Sequence, residues 1–515
     1  MSEDPRAWWR NGVLYQLYPR SFADSNGDGV GDLRGIAAHL DHLEWLGVRG
    51  FWTSPITPSS NYDWGYDVTD YTDVDADLGS LADADALIEA ASERGLHVIL
   101  DLVPNHTSTE HPWFAESRSS RDNPKRDWYV WADARADGSL PNNWQSFFDG
   151  AAWRHDPRTG QYYLSHFLDH QADLNWWHPE VRVEFERVLR FWFDRGVAGF
   201  RIDVANMLIK DRALRDNGPD ELNANQPELH DIYRRWRAIA DEYDPPRLLI
   251  GETPVFDMPT IASFYGSGDE LDLAFNFIHL FAPFDADTMP GIIDATLAAL
   301  PAGCQPVWAG GNHDLSRFPT RWAGGDPARA RAALVMLLTL PGTPFLYMGD
   351  ELLLTDSAVA RNEIRDPLGL KSASLWGGRD PQRTPMPWSA EPGAGFTDPG
   401  VTPWLPFGDP SVNVADQRDD PYSALWLTRD LVALRDATPE LHSGGYRRVA
   451  GPEGWWCYVR GERVLVAINL SGSAGVLDGI DGVIRVSTLR ARDGLRNAGA
   501  LALEADEAVI VALDI

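Results

Sequence analysis

Two cysteines, Cys304 and Cys457, are all that the 515 residues contain, too few and too far apart for a disulfide framework or a thiolate metal site. Positive charge is scarce as well. The chain has 45 Lys and Arg against 76 Asp and Glu, a net charge of −31, which repels polyphosphate and argues against a nucleic-acid partner. An uncharged or cationic partner fits better. No apolar run reaches the ~18 uninterrupted residues of a membrane span. The strongest candidate, Ala332 to Met348, is broken by Pro341, Gly342 and Pro344. The N-terminal stretch MSEDPRAWWR has acids where a secretory leader carries basic residues, and no apolar segment follows it. Together these absences predict a soluble, cytoplasmic protein with no membrane partner.

Apolar material is nevertheless ample. Hydrophobic residues make up 44% and aromatics 11% of the chain, which excludes disorder as the main state. Several short apolar runs end in polar clusters and alternate with segments of helical period, the pattern of βα units. The strand candidates are Val13 to Tyr18, Gly50 to Thr53, His97 to Leu100, Ala198 to Ile202, Leu248 to Gly251, Leu273 to Phe277, Val307 to Gly310 and Pro344 to Tyr347. Helical stretches between them include Leu33 to Leu46, Ala82 to Arg94, Val181 to Arg195, Leu229 to Glu242 and Ala328 to Thr339. Eight such units predict a closed parallel barrel. The interval from Asn105 to about Trp176 is too long for a βα loop and predicts a subdomain. Thr355 to about Pro421, dense in Gly, Pro and Asp, reads as a long loop over the barrel mouth. Beyond the helical Tyr422 to Arg435, alternating segments such as Trp455 to Val459, Val464 to Leu470, Val483 to Leu489 and Ala508 to Leu513 predict an antiparallel β domain.

In a parallel barrel the loops after the strands share one face, so residues at different strand tips meet. Those tips carry Asp101, Asn105 and His106 after the third strand, Arg201 and Asp203 at the fourth, Glu252 at the fifth, and Asn312, His313 and Asp314 at the seventh. Asp at a βα junction often caps the next helix, but capping accounts for neither the histidines nor a buried arginine. Paired carboxylates about 5 to 5.5 Å apart are what retaining glycoside hydrolysis uses, one attacking the anomeric carbon and the other protonating the leaving oxygen.

With these residues in view the sequence resembles glycoside hydrolase family 13, the α-amylase superfamily, and within it the α-glucosidase and oligo-1,6-glucosidase branch. The resemblance runs from about Trp9 into the C-terminal β region through DSNGDGVGDL, GYDVTDY, DLVPNHTS, QADLNW, GFRIDVA, IGETP, GGNHD and GRDPQRTPMPW. It implies an α/β fold, a (β/α)8 TIM barrel with a subdomain inserted after strand 3 and a C-terminal antiparallel β-sandwich. The expected division is barrel in 1–104 and 176–440, inserted subdomain B in 105–175 and β-sandwich in 441–515.

Residue by residue, the resemblance makes Asp203 the nucleophile, Glu252 the acid/base and Asp314 the stabiliser of the transition state. Arg201, two residues before Asp203 on the same strand face, is expected to hold the nucleophile ionised. Glu252 is expected to stay protonated in an apolar setting. As the glucosyl ring gains oxocarbenium character, Asp314 with His106 and His313 would stabilise it. Asp63 and Tyr66 resemble the acid and the aromatic face that hold the non-reducing glucose, Phe167 joins them, and Arg379 resembles the arginine that closes the pocket opposite Asp63. A pocket closed there implies exo action on small α-glucosides. Val204 accompanies α-1,6 cleavage in this branch, whereas the following Ala-Asn-Met resembles an α-1,4 subgroup. A transglucosylase or a trehalose or sucrose isomerase on the same scaffold is the nearest alternative. A catalytically silent interaction subunit is disfavoured because all three acids are present.

Asp24, Asn26, Asp28, Val30 and Asp32 place oxygen ligands at alternate positions, with Gly29 sixth, as in a calcium loop. The twelfth position is Gly35 rather than a bidentate Glu, so any ion takes further ligands from elsewhere or from water. The resemblance implies a structural Ca2+, or Mg2+, and no catalytic cofactor. A monomer or homodimer is expected.

Overall fold

Eight short parallel strands form one sheet in the computed structural model, which describes residues 4–219, 221–371 and 378–514. Residues 1–3 of the N-terminal stretch and 372–377 of the irregular segment, both used above, lie outside the described residues. The strands are β1 (Leu14–Leu17), β2 (Gly50–Thr53), β3 (His97–Leu102), β4 (Gly199–Ile202), β5 (Leu248–Gly251), β6 (Leu273–Ala274), β7 (Val307–Ala309) and β8 (Thr343–Tyr347). Their order, β6-β5-β4-β3-β2-β1-β8-β7, is that of a barrel whose seam lies between β6 and β7.

Strand alternation explains both the core and the position of the chemistry. Leu14, Trp52, Ile99, Leu248, Ile250, Leu273, Val307 and Phe345 face inward and plug the barrel. Their neighbours Tyr15, Phe51, Val98, Leu100, Phe200, Ile202 and Leu249 face outward into the helices. Continuing the inward series two residues at a time toward the strand ends takes Ile99 to Asp101, and Ile250 to Glu252. The register sets Asp101 on β3 directly beside Arg201 on β4.

The helices begin where the sequence supplies caps. Pro179 opens Pro179–Asp194 and the His178 side chain accepts from Glu180 N, while Val181, Phe185, Val188, Leu189, Trp192 and Phe193 bury one stripe. The stretch Leu33 to Leu46, expected as one helix, is two: Leu33–Ala38 and Leu40–Leu46, joined at His39. His39 leaves the helical conformation, binds the Gly35 carbonyl through Nδ1 and packs its ring 4.1 Å from Trp388.

Between β3 and Pro179–Asp194 the chain makes small antiparallel sheets, His106–Ser108 with Gln171–Asp173, and Gln161–Leu164 with Trp131–Ala132 and Trp153–Asp156. The C-terminal part is a six-stranded antiparallel sheet and a two-stranded one, Gly475–Asp478 with Ala500–Leu503. Trp455, Cys457, Leu465, Leu501, Leu503 and Val509 pack between them. The other face meets the barrel helix Pro327–Thr339 through Tyr458, hydrogen-bonded to Thr339, and through Arg460. Arg435 donates to the carbonyls of Leu338 and Leu340 at that helix's C-terminal end, satisfying acceptors that no helical N–H reaches. No helix among the described residues is long and apolar enough to cross a membrane.

Candidate active site

Arg201 is the hub of the strand-tip cluster. Its Nη1 lies 2.7 Å from Asp203 Oδ1 and 3.0 Å from both Asp101 oxygens, and its Nη2 lies 2.8 Å from Glu252 Oε2. The guanidinium stands over the Trp52 ring at 4.8 Å. One cation therefore grips three buried carboxyl groups. Burial, with the charges of Glu252 and Asp101, raises the Asp203 carboxyl well above the ordinary range despite Arg201. Burial likewise pushes Asp101 up to about 7 against the pull of Arg201. The expectation that Arg201 keeps Asp203 ionised thus describes half of the balance. A guanidinium shared three ways cannot neutralise every partner, so the cluster favours retaining a proton. That state suits a pair in which one carboxyl gives a proton while the other attacks.

The backbone after Asp203 is bent to serve Glu252. Val204 has φ 35°, a left-handed conformation that is costly for a β-branched residue. The bend aims its N–H at Glu252 Oε2, 3.0 Å away, and the next amide, Ala205 N, at the Glu252 carbonyl, 2.7 Å away.

Asp314 is held differently. Its Oδ1 accepts from Arg383 at 2.6 Å and from Arg379 at 3.3 Å, and its Oδ2 lies 3.2 Å from His313 Nε2. Although burial raises it, His313 and these two cations hold its carboxyl well below the usual range. Arg379 also binds Asp63 at 2.6 Å and Asp366 at 2.8 Å, closing one end of the site with a charged clasp.

Burial favours the neutral form of both histidines, lowering His106 to about 4 and His313 well below its ordinary value. Gln16 Nε2 donates to His313 Nδ1 at 2.8 Å, leaving Nε2 to carry the proton, 2.7 Å from the Tyr66 hydroxyl. Tyr66 in turn donates to Asp101 Oδ2 at 3.0 Å, and its ring stacks on His313. His106 Nε2 lies 3.0 Å from the Tyr66 carbonyl. These contacts lock the rings that face the cavity.

That cavity, of about 100 Å³, is lined by Asp63, Tyr66, His106, Phe148, Phe167, Gln171, Asp203, Val204, Glu252, Asp314 and Arg379. Of the residues expected from sequence, Asp63, Tyr66, His106, Phe167, Asp203, Glu252, Asp314 and Arg379 converge there. Arg201 and His313 lie one layer beneath. Asp101, one of the strand-tip residues, joins the hub, and three residues not expected from sequence also take part: Gln171, which bonds Asp63 at 3.1 Å, Asp366 on Arg379, and Arg383 on Asp314. Arg383 stands in the quoted GRDPQRTPMPW block and Gln171 in QADLNW, whereas Asp366 lies in the aperiodic stretch where no local pattern marks it. A larger hollow of about 680 Å³ lies under the segment around Leu352 to Ser357 and Asp409 to Ala424, away from these acids.

Below the cavity Lys210, fully buried, reaches Asp173 at 2.9 Å and Asn105 Oδ1 at 2.7 Å. Asp173 also binds His166 Nδ1 at 2.7 Å. The loop after β4 is thereby tied to both ends of the excursion that carries Phe148 and Phe167. Despite burial, Lys210 and His166 hold the Asp173 carboxyl far below its usual range.

In the loop expected to hold an ion, Asp24 accepts from the amides of Asn26, Gly27 and Gly29, Asn26 from Asp28 N, and Asp28 from Val30 N. Gly29 has φ 90°, and a side chain there would strike the Thr402 carbonyl. Asp32 is turned to Ser25 and to Gly35 N, where it caps Leu33–Ala38. The curled backbone, the glycine turn and the all-oxygen donor set of Asp24, Asn26, Asp28 and the Val30 carbonyl fit a hard cation such as Ca2+.

A family model described as alpha amylase, catalytic domain, matches residues 16–444. A probable alpha-glucosidase of Rhizobium meliloti (strain 1021) is 40% identical over 92% of this chain and 91% of its own. An oligo-1,6-glucosidase of Heyndrickxia coagulans is 37% identical over 90% and 92%. The crystal structure of an alpha-glucosyl transfer enzyme, XgtA, superimposes with a TM-score of 0.91 at 39% identity, covering 98% of this chain and 99% of that one.

Proposed function

The chain belongs to the alpha-amylase catalytic-domain family, and from that premise we propose that it is a retaining, exo-acting α-glucosidase that removes terminal non-reducing glucose from short α-glucosides. One observation carries the reading: Asp203 and Glu252 share the two arms of one guanidinium and face the same cavity as Asp314. Carboxyls gripped by one fork suit the short separation of retaining chemistry, not the ~6.5–9.5 Å that admits a water in inverting enzymes. Asp203 attacks the anomeric carbon, Glu252 protonates the departing oxygen, and the glucosyl-enzyme is hydrolysed by a water that Glu252 deprotonates. Asp314, held anionic by Arg379, Arg383 and His313, stabilises the positive charge that develops on the ring. The Asp63–Arg379 clasp blocks the end where a longer chain would continue, which makes the action exo.

The test is the first product. Proton NMR during hydrolysis of p-nitrophenyl α-glucoside, whose only glucose comes from the glycosyl side, is expected to show α-glucose appearing before mutarotation; initial β-glucose would contradict the mechanism. The second reading, transfer of the glucosyl unit to an acceptor alcohol, draws on the similarity to the alpha-glucosyl transfer enzyme. It requires the same glucosyl-enzyme, and disaccharide or alkyl glucoside products would identify it. The two unpaired cysteines suit a reducing, cytoplasmic setting.

A structural Ca2+ held by Asp24, Asn26, Asp28 and the Val30 carbonyl belongs to the same proposal. An ion bound only by the folded chain stabilises it by mass action. Chelation with EDTA is expected to lower the melting temperature, with restoration by added Ca2+, and to leave activity at 25 °C much less affected. An unchanged melting curve would remove the ion from the account.

A further inference from the structure

We propose that Phe147 is the platform for the leaving group, so that the enzyme favours an aglycone with an uncharged, apolar face, such as a sugar ring lying on its C–H face or an aryl alcohol. The proposal rests on the glucosidase reading and names the substrate side that the cavity leaves open.

Three observations carry it. Phe147 is 60% exposed, unusual for a large apolar ring, while the adjacent Phe148 is buried, lines the cavity and has the Arg379 guanidinium over its ring. The Phe147 ring stacks on Phe167, itself a cavity wall, with centroids 5.2 Å apart and planes at 23°. It therefore continues the aromatic wall outward from the glucosyl pocket. The backbone under it is fixed: Phe147 N donates to the His166 carbonyl at 2.7 Å, Ser146 Oγ to the Phe167 carbonyl at 2.7 Å, and Ser146 N to the Gly150 carbonyl at 2.8 Å. An exposed ring held on a pinned turn gives a contact surface without a large ordering cost on binding. Aromatic faces attract apolar sugar faces and aryl groups.

Charge complements shape. The guanidinium groups at the cavity are already committed, Arg379 to Asp63, Asp366 and Asp314, Arg383 to Asp314, and Arg201 to Asp101, Asp203 and Glu252. A phosphorylated aglycone would meet a cavity lined by Asp63, Asp203, Glu252 and Asp314 on a chain of net charge −31, with no uncommitted guanidinium among those named to offset the repulsion.

The experiment compares kcat/KM for p-nitrophenyl α-glucoside and maltose with that for α-glucosyl fluoride, whose leaving group has no ring. In Phe147→Ala the ratio of ringed substrate to fluoride is expected to fall roughly three- to tenfold, the range of one aromatic contact, and Phe147→Tyr is expected to restore it. An unchanged ratio, or an equal loss on all three substrates, would overturn the platform. A wild-type enzyme that does not turn over α-glucosyl fluoride at all would instead defeat the glucosidase reading. Trehalose is expected to be preferred to trehalose 6-phosphate as substrate, and the reverse preference would overturn the requirement for an uncharged aglycone.

Discussion

Replacing Asp203 with Asn is expected to lower turnover at least ~10³-fold, about 4 kcal/mol of activation free energy, without unfolding the protein. Asn keeps the size and the hydrogen-bonding oxygen that Arg201 grips, but its amide cannot form the glycosyl ester. Stability is expected to hold or to rise. Asp203 shares one guanidinium with Asp101 and Glu252, and its charged form is disfavoured by burial and by those neighbours. Removing one negative charge relieves that repulsion, the pattern of an active site that trades stability for function. Melting curves and steady-state kinetics on the same preparation check both halves. Near-normal turnover would exclude Asp203 as the nucleophile, and a large drop in melting temperature would recast it as a structural residue.

Lys210→Met is expected to have the largest effect on stability. Lys210 and Asp173 are both fully buried and 2.9 Å apart. Removing one partner of such a pair leaves an uncompensated buried charge, at a cost of about 3–5 kcal/mol. The residual His166 contact keeps the loss toward the lower end. The measurement is the urea midpoint, together with limited proteolysis to locate the first cleavages. Cuts are expected in 105–175, where Asn105 and Asp173 lose their common anchor. The double variant Lys210→Met/Asp173→Asn removes the stranded charge and is expected to recover part of the loss. A single variant as stable as the parent would show that the pair contributes nothing net. KM is expected to rise with the loosening, because Phe148 and Phe167 ride on that excursion.

The barrel is legible because a parallel strand covered on both faces is apolar along its length and ends in polar residues. That contrast alone marks Gly50–Thr53 and Leu248–Gly251, and the structure has the same limits for both. What the pattern misses is half-exposed or locally ordinary. Tyr446–Val449 is an edge strand with two adjacent exposed residues, and Gly475–Asp478 and Ala500–Leu503 are outer strands with exposed residues in alternation, too weak a signal beside their Gly-rich surroundings. Met289–Ala299 has small residues and a broad apolar face with little amphipathic contrast.

The cavity follows the same logic. Arg201, Asp203 and Glu252 are readable because two-residue alternation on a known strand face fixes their direction. Asp366 and the Lys210–Asp173 pair are not, because their partners come from loops whose approach is decided by tertiary packing. The proton balance is the other limit. Spacing places Arg201 beside Asp203, but only the folded chain brings Asp101 and Glu252 to the same guanidinium, and burial together with those two charges raises the Asp203 carboxyl despite Arg201.

The most direct measurement is to trap the intermediate. Incubation with 5-fluoro-α-glucosyl fluoride, which slows breakdown of the glycosyl-enzyme, followed by trypsin and mass spectrometry, is expected to place one fluoroglucosyl group on the peptide Ile202–Lys210, at Asp203. A label on any other carboxylate, or inactivation without a covalent label, would contradict the account.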